Sequence, residues 1–401
     1  MKSSVVLGLG AVSCFGQTVD SFADAIFAGR CGIGDITDMV PPTISVRIGA
    51  PVRDFDPQAH FDARTLHQVD RFTQYATVAA REATAEAGLA GLGVQPGRIG
   101  VITGTANSGI DAIGMVYRRI WVDKGRPQPM SVPMIMGNAP ASRIAHETGA
   151  RGPAMGISSA CASAAQAILM GHRMIQTGLA DVMIVGGADS CFSEGYLAAW
   201  SVLKVLDIEP CRPFSGDRRG VSLGEGAAIL VLASEEVAAR SGAKVRARLL
   251  GGGMTSDAGS MLGCDRAGMA EAMRLALGDA GLAPRDVTYV NAHGTATVAN
   301  DREESAAIRE VFGEGRSDFR ISSTKSMIGH AMGASGALEA VVTVLSLERQ
   351  VAPPTAGHRV VDPDCGLNVT PGAAVPHKMR HAVSNSFAFG GLNASLVLGA
   401  A

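Results

Sequence analysis

The sequence predicts a layered α/β fold assembled from two related halves. Strand-like apolar runs alternate with Ala-rich helical patterns along the 401 residues, an order typical of sheets covered by helices. A similar succession occurs twice, since RIGVITGT precedes the helix entrance SSACASAAQAILMG and VTYVNAHGT precedes SSTKSMIGHAMGASGALEAVVTVLSL. Hydrophobic residues make up 47% of the chain and charged residues 18%, which indicates a globular protein. We expect two halves that meet face to face, with active residues at helix N-termini from both.

Seven apolar runs are long enough to be strands. Their residues are buried on both faces if helices cover the sheet on both sides. The predicted strands span residues 4–10, 98–105, 181–189, 227–234, 244–253, 287–295 and 394–400.

Two Ala-rich segments, 71–89 and 268–282, are predicted helices. Each ends in Ala-Gly-Leu, which places Gly88 and Gly281 where a helix C-terminus favours glycine.

The opening apolar run stands before Cys14, as in a lipoprotein signal, but it is short and interrupted by glycines, so a buried strand is favoured.

Charge and cysteine usage exclude several classes of function. The formal net charge is −2, which provides no general attraction to nucleic acid or anionic membranes. The seven cysteines are scattered without a CxxC pair or a Cys/His cluster in sequence, so neither a disulfide framework nor a metal site is predicted. No segment is long and apolar enough to span a bilayer. We expect reduced thiols and a cytoplasmic location.

Cys161 is the first candidate catalytic residue. It stands where small residues turn into an apolar helical pattern. Backbone amides and the helix dipole at such an entrance favour a thiolate, and the same amides can hold the oxygen of a carbonyl under attack. The alternative is a small buried hydrophobe, which is the role of most free cysteines.

Two histidines change the balance between these alternatives. NAHGTAT (291–297) places His293 at the end of an apolar strand, and STKSMIGHAMGASG (323–336) places His330 between glycines. A lone histidine is usually a core residue. Two histidines among Gly, Ser and Thr at strand ends and helix starts are harder to explain as packing.

These motifs, with SSACASA (158–164) and SFAFGG (386–391), resemble those of elongating β-ketoacyl-acyl-carrier-protein synthases. The resemblance runs nearly end to end and includes VVLGLGAVSCFG, DRFTQYATVAAREA and CRPFSGDRRGVSLGEGAAILVL. It implies a thiolase-like fold with five α-β-α-β-α layers. The two halves would be residues 1–243, with the nucleophile, and 244–401, with both histidines.

The resemblance implies a decarboxylative Claisen condensation. Cys161 would take an acyl chain from a carrier thioester. His293 and His330 would stabilise the enolate oxygen left when malonyl-carrier loses CO2, and removing one such donor typically costs about 3 kcal/mol of transition-state stabilisation. The amides of Cys161 and Phe389 would hold the second oxyanion. No cofactor is implied, since the substrates travel on the phosphopantetheine of acyl carrier protein.

The same resemblance assigns supporting residues. Lys325 and Glu339 match a buried charged pair, for which a catalytic and a purely structural role are equally acceptable. Asp301 and Glu304 match acids that organise the Lys325 region.

Further residues match family positions that bind the phosphopantetheine arm of the substrate or that gate access to the nucleophile. Thr295 and Thr297 match residues that bind the phosphopantetheine arm, and Phe389 matches a gating aromatic whose alternative role is core packing. Ala388 and Leu392 replace the usual Gly and Thr, which puts loop geometry and substrate preference in doubt because Ala disfavours positive φ.

Partners follow from the same resemblance. Acyl carriers are acidic, and basic residues at Arg71, Arg118, Lys124 and Arg126 are candidates for docking one. We expect a homodimer, or a heterodimer with a chain-length-factor-like homologue, joined through the strand near DVMIVGGAD (181–189).

Two other functions are weighed against the enzyme. A non-catalytic chain-length factor would lack the nucleophile. A thiolase would carry a second catalytic cysteine near the C-terminus, whereas Cys365 is in no such motif. Fatty-acid synthesis and a specialised polyketide or polyene pathway both remain open, and the loop changes favour the specialised pathway.

Overall fold

A computed structural model describes residues 4–401 of the chain. The strands are β1 Ser4–Val12, β2 Gly34–Asp35, β3 Ile48–Gly49, β4 Ile99–Gly104, β5 Ala154–Ile157, β6 Val182–Asp189, β7 Gly226–Ser234, β8 Ala247–Ser256, β9 Tyr289–Asn291, β10 Arg320–Ser322, β11 Val351–Ala352, β12 Val375–Pro376, β13 His381–Ala388 and β14 Leu392–Ala400. Each of the seven predicted strands is present.

Helices connect most of these strands. They are α1 Val19–Phe27, α2 Pro57–His60, α3 Ala63–Leu66, α4 Arg71–Glu86, α5 Ile110–Tyr117, α6 Ser131–Ile135, α7 Ala139–Thr148, α8 Ser163–Gln176, α9 Glu194–Val202, α10 Glu235–Ser241, α11 Arg266–Ala280, α12 Val298–Phe312, α13 Lys325–Ile328 and α14 Ser335–Arg349. The two predicted Ala-rich helices are α4 and α11. Gly88 and Gly281 follow them with φ of +58° and +66°, so both predicted C-caps are confirmed.

One ten-stranded sheet carries the fold, in the order β10-β9-β13-β14-β8-β1-β7-β6-β4-β5. Its two halves repeat one pairing scheme. In the first, β4 pairs parallel with β5 and β6, and β7 pairs antiparallel with β6 and β1. In the second, β9 pairs parallel with β10 and β13, and β14 pairs antiparallel with β13 and β8.

This repetition confirms the two related halves. The strands that the sequence comparison equates, RIGVITGT and VTYVNAHGT, hold the same place in the two schemes as β4 and β9. The halves join where β1 pairs antiparallel with β8. The predicted boundary between residues 243 and 244 lies between α10 and β8, and its position stays a prediction.

Five layers result. Helices α8 and α14 pack against each other and against strands of both halves, so they form the central layer. Helix α14 is buried on all sides from Ser335 to Leu347, which explains why its sequence is apolar around the whole circumference. Helices α4 and α7 cover the outer face of the first half, and α11 covers the outer face of the second and packs on α12.

Strand positions show which edge of the first half is free. Strand β6, which corresponds to DVMIVGGAD, lies between β7 and β4 with all of its residues buried, so it has no free edge for a partner subunit. The free edge of this half belongs to β5, whose residues are largely exposed.

The opening apolar run is strand β1, buried at every position from Ser4 to Val12. Within residues 4–401, none of the helices combines the length and the apolar character needed to cross a membrane.

Candidate active site

Cys161 lies in the turn between β5 and α8, pointing into the molecule. Ala160 precedes it with φ of +48°, a left-handed conformation that costs energy for a residue with a Cβ. The Ser163 hydroxyl stabilises this turn because it accepts from the Ser159 amide at 2.9 Å and donates to the Ala160 carbonyl at 2.6 Å. The strained residue directs the thiol toward the central layer, where it is buried.

His330 approaches this thiol from the other half of the molecule. It follows Gly329, whose φ of +67° and close contact with the Leu223 carbonyl leave no room for a side chain. Its Nε2 lies 3.0 Å from Sγ of Cys161, within proton-transfer distance. Its Nδ1 lies 2.8 Å from the hydroxyl of Ser335.

His293 completes the cluster. It follows β9 and is buried, and its ring centre lies 5.4 Å from that of His330 at an interplanar angle of 84°. Nζ of Lys325 lies 3.2 Å from its Nδ1. Because an ammonium can only donate, Nδ1 accepts, and the proton of neutral His293 is on Nε2. The imidazole therefore presents an N–H donor on its other edge.

Lys325 and Glu339 form an ion pair in which neither side chain is exposed. Burial raises the pKa of Glu339 to about 7, and the neighbouring ammonium opposes the shift. The second carboxyl oxygen of Glu339 has no protein partner. The pair holds the ammonium against His293, so it belongs to the site as well as to the core.

Asp301 and Glu304 organise the loop after β9, and burial raises the pKa of the Glu304 carboxyl while the charge of Lys325 lowers it in part. Glu304 accepts from the amides of His293 and Gly294, each at 2.7 Å. Asp301 accepts from the amides of Phe214 and Ala296 at 2.7 and 3.1 Å. These hydrogen bonds fix the backbone conformation of the loop that carries His293.

Electrostatics keep the resting cluster uncharged. Burial raises the pKa of Cys161 to about 11, and the charge of Lys325 with the amides of Phe389 and Cys161 lowers it only in part. The helix entrance therefore does not by itself produce the thiolate that the sequence suggested. Burial and the Lys325 charge hold the pKa values of His293 and His330 well below the usual range, so both imidazoles are neutral.

A cavity opens from this cluster toward the surface. Its wall includes Thr295 and Thr297, whose hydroxyl oxygens lie 2.9 Å apart, as well as Trp200, Leu262, Phe387 and Phe389. The ring of Phe389 stacks on Trp200 with centres 6.0 Å apart. The sequence singles out neither Trp200 nor its stacking, since only the fold brings α9 to the β13–β14 turn.

The β13–β14 turn accommodates both unusual residues. Ala388 is the last residue of β13 and lies opposite Leu392 in extended backbone, so it avoids the positive φ that Ala disfavours. The turn itself uses Gly390 and Gly391, with φ of +84° and +71°. Asn393 donates to Asp257 at 2.7 Å and so connects the turn to the loop after β8.

The proposed docking residues divide into two groups. Arg71 lies 3.4 Å from the buried carboxylate of Glu225 and donates to the hydroxyl of Tyr75. Its side chain is 40% exposed and its charge is paired with Glu225, and a role in docking a carrier stays a prediction. Arg118, Lys124 and Arg126 are exposed but do not line the cavity beside Cys161.

The thiol and the two imidazoles lie within 4.8 Å of one another, close enough to hold a metal ion. The sequence showed no such cluster because the three residues are far apart along the chain. The contact of Lys325 with Nδ1 of His293 leaves Nε2 protonated, and a protonated nitrogen is a hydrogen-bond donor rather than a ligand. The donor set therefore fits oxyanion stabilisation better than metal binding.

Comparisons with known proteins agree with this geometry. Family models described as "Beta-ketoacyl synthase, N-terminal domain" and "Beta-ketoacyl synthase, C-terminal domain" match residues 1–238 and 246–359. The chain is 42% identical to "Nodulation protein E" of Rhizobium sp. (strain N33) over 393 residues, which cover 98% of each chain. It is 37% identical to "3-oxoacyl-[acyl-carrier-protein] synthase 2" of Staphylococcus aureus (strain N315), over 99% of this chain and 98% of the relative.

A solved structure titled "The ishigamide ketosynthase/chain length factor" superposes with a TM-score of 0.95 at 34% identity. It covers 100% of this chain and 99% of its own. The matches span both halves and therefore include the segments that carry Cys161, His293 and His330. The chain belongs to the β-ketoacyl synthase family, and it is an acyltransferase of the condensing class with a thiolase-like fold.

Proposed function

We propose that this enzyme holds an acyl chain on Cys161 and extends it by two carbons from malonyl-carrier. The observation that carries the proposal is the 3.0 Å contact between Cys161 Sγ and His330 Nε2, with His293 beside it. Nucleophile, proton acceptor and a second N–H donor thus line one buried chamber.

Acyl transfer comes first. Because the Cys161 thiol is protonated at rest, His330 Nε2 takes its proton as Sγ attacks the carrier thioester. The Sγ–C bond forms, the carrier C–S bond breaks, and the departing phosphopantetheine thiolate takes the proton back. The amides of Cys161 and Phe389, which already face Sγ, stabilise the oxyanion of this step.

Decarboxylation and condensation follow at the same place. Malonyl-carrier loses CO2, and the enolate oxygen accepts hydrogen bonds from the imidazoles of His293 and His330. Lys325 keeps His293 in the donating tautomer by occupying Nδ1. The enolate carbon then attacks the acyl-Cys161 carbonyl, the C–Sγ bond breaks as the 3-oxoacyl product forms, and the released Cys161 thiolate takes up one proton from solvent to restore the resting thiol.

Intact-mass measurement after incubation with acyl-carriers tests the proposal. Wild type should gain one acyl group, and Cys161→Ala should gain none and make no 3-oxoacyl product. Cys365→Ala is the matched control because it removes another buried thiol, and it should react like wild type. Product formation by Cys161→Ala at the wild-type rate would refute the assignment, and loss of activity in Cys365→Ala would favour a thiolase-like second cysteine.

The chain-length-factor alternative remains less well supported. A non-catalytic partner has no use for a thiol within hydrogen-bond distance of an imidazole, yet this chain keeps both. Its similarity to a ketosynthase/chain length factor structure concerns fold and family alone.

We propose acyl carrier protein as the substrate-bearing partner and a second condensing-enzyme subunit as the structural one. The name of the 3-oxoacyl-acyl-carrier-protein synthase relative supports the carrier, and that of the ketosynthase/chain length factor structure supports a related subunit. The free edge of β5 is where a second subunit would extend the sheet. All seven cysteines are free thiols, which supports a cytoplasmic location.

We propose a specialised acyl product rather than ordinary saturated chains. Support comes from Ala388, which lines the cavity, and from the Trp200–Phe389 stack beside the thiol. The test is to measure elongation rates with a panel of saturated, unsaturated and aryl acyl-carriers. Fast elongation of saturated chains alone would overturn the preference without affecting the role of Cys161.

A further inference from the structure

Ser335 is the one polar side chain in contact with Nδ1 of His330 among the described residues, at 2.8 Å. It is the first residue of α14 and is buried. His330 uses its other nitrogen, Nε2, on Cys161. The state of Nδ1 decides whether Nε2 carries a proton, so whatever touches Nδ1 governs what His330 can do.

The position of Ser335 is set by Asp189, at the end of β6. One oxygen of this buried carboxylate accepts from the Gly333 amide at 2.6 Å, within the 3₁₀ turn that leads into α14. A Cβ on Gly333 would lie 2.4 Å from the Ala106 amide nitrogen and 2.6 Å from Asp189, so only glycine allows this approach. The turn that precedes Ser335 is therefore hydrogen-bonded to the first half of the molecule.

The same carboxylate holds the loop that supports the nucleophile. Asp189 accepts from the Thr105 hydroxyl at 2.6 Å and from the amides of Ala106 and Asn107 at 2.9 and 3.1 Å. The Thr105 carbonyl in turn accepts from Ser163, which stabilises the Cys161 turn. One group thus fixes both the thiol and the turn that carries Ser335.

We propose that Ser335 is a positioning residue that lets His330 act as proton acceptor in one half-reaction and as donor in the other. The proposal rests on the proposed condensation. A hydroxyl can accept and donate, unlike an ammonium or a backbone amide. In acyl transfer, Nδ1–H donates to Ser335, and Nε2 is free to take the Cys161 proton.

In condensation, the Ser335 hydroxyl donates to Nδ1, and Nε2–H donates to the enolate oxygen. Between the half-reactions the imidazole loses one proton from Nδ1 to cavity water and gains one at Nε2 from water, so its charge is unchanged. His293 cannot switch in this way because Lys325 occupies its Nδ1 as a donor. The two histidines thus have different roles, which are determined by the groups that contact Nδ1: Ser335 for His330 and Lys325 for His293.

Ser335→Ala tests the proposal, with Ser335→Thr as the conservative variant. Ser346→Ala is the matched control, since Ser346 is equally buried on α14 but bonds the Val342 carbonyl, at 2.8 Å, and the hydroxyl of Tyr289 rather than a histidine. Single-turnover acylation of Cys161 and condensation by the acylated enzyme are measured separately, with kcat and KM for each carrier.

We expect Ser335→Ala to slow both half-reactions by about tenfold, the equivalent of one weak hydrogen bond, with KM unchanged. Ser335→Thr should recover most of the rate, and Ser346→Ala should match wild type. Rates of Ser335→Ala within twofold of wild type, an effect on KM alone, or an equal loss in Ser346→Ala would each overturn the proposal. None of these outcomes would affect the proposed function, which depends on the Cys161→Ala result.

Discussion

The buried Lys325–Glu339 pair combines a structural and a chemical task in two side chains. Removing one partner of such a pair leaves an uncompensated charge, which typically costs 3–5 kcal/mol. Glu339 reduces this cost because its pKa is already about 7 and it can take up a proton. Only the chemical role requires the Lys325 ammonium to contact Nδ1 of His293. The two tasks can therefore be separated.

We predict that Lys325→Met lowers the free energy of unfolding by about 3 kcal/mol and that Lys325→Met/Glu339→Gln regains most of it, since the double variant buries no charge. Decarboxylation of malonyl-carrier should stay low in both variants because Nδ1 of His293 has lost its donor. Urea unfolding and CO2 release measure the two quantities. The exposed pair Arg53–Asp38 provides the control, as Arg53→Met should leave both nearly unchanged.

Activity recovered together with stability in the double variant would make the pair a scaffold only. The sequence leaves this alternative open, and the 3.2 Å contact between Nζ of Lys325 and Nδ1 of His293 favours the chemical role.

Individual site residues were largely predictable because each lies in its own local motif. Cys161, His293 and His330 stand at a strand end or helix entrance among small residues, and these positions need no knowledge of tertiary contacts. The ion pair of Arg71 is not predictable from the sequence, for the opposite reason. Its buried partner Glu225 is distant in sequence, and nothing near Arg71 indicates it.

At the scale of elements, the β13–β14 turn offers a pair of adjacent glycines with different surroundings. A Cβ on Gly390 would meet no atom within 4 Å, whereas one on Gly391 would lie 2.6 Å from Cβ of Asp257. Both have positive φ. Backbone strain and collision with the neighbouring loop can therefore be distinguished.

We predict that Gly390→Ala costs about 1 kcal/mol through strain alone and leaves acyl-carrier kinetics near wild type. Gly391→Ala should cost more and displace the loop that carries Asp257 and Leu262, which raises KM for acyl-carrier. Thermal unfolding and steady-state kinetics on the two variants provide the comparison. Equal kinetics in both would show that this loop does not govern entry.

Long buried strands and amphipathic helices followed from periodicity, but short edge strands did not. Strands β5 and β10 have four and three residues, too few for a pattern. The order of strands was also beyond reach. The prediction places the subunit contact only near DVMIVGGAD, and the structure shows that this segment is the central strand β6, of which a continuous apolar run is typical.

For the whole molecule, the free edge of β5 predicts how subunits associate. The carbonyls of Pro153 and Ile157 bond to β4, so the alternate residues Ala154 and Gly156 turn their backbone groups outward. Unpaired backbone groups of this kind are a template for another strand.

We predict that Ala154→Pro, which removes an outward N–H, shifts the enzyme from dimer to monomer. Light scattering measures the mass, and Ala373→Pro, at an exposed residue outside the ten-stranded sheet, serves as the control. An unchanged dimer would place the subunit contact elsewhere.

The mirrored pairing of the two halves has a consequence for how the enzyme matures. The sulfur belongs to one half and both imidazoles to the other, and the central helices bring them together only when the sheet joins at β1 and β8. An unfinished or truncated chain therefore lacks the condensing site, because the imidazole that contacts the Cys161 sulfur is contributed by the other half.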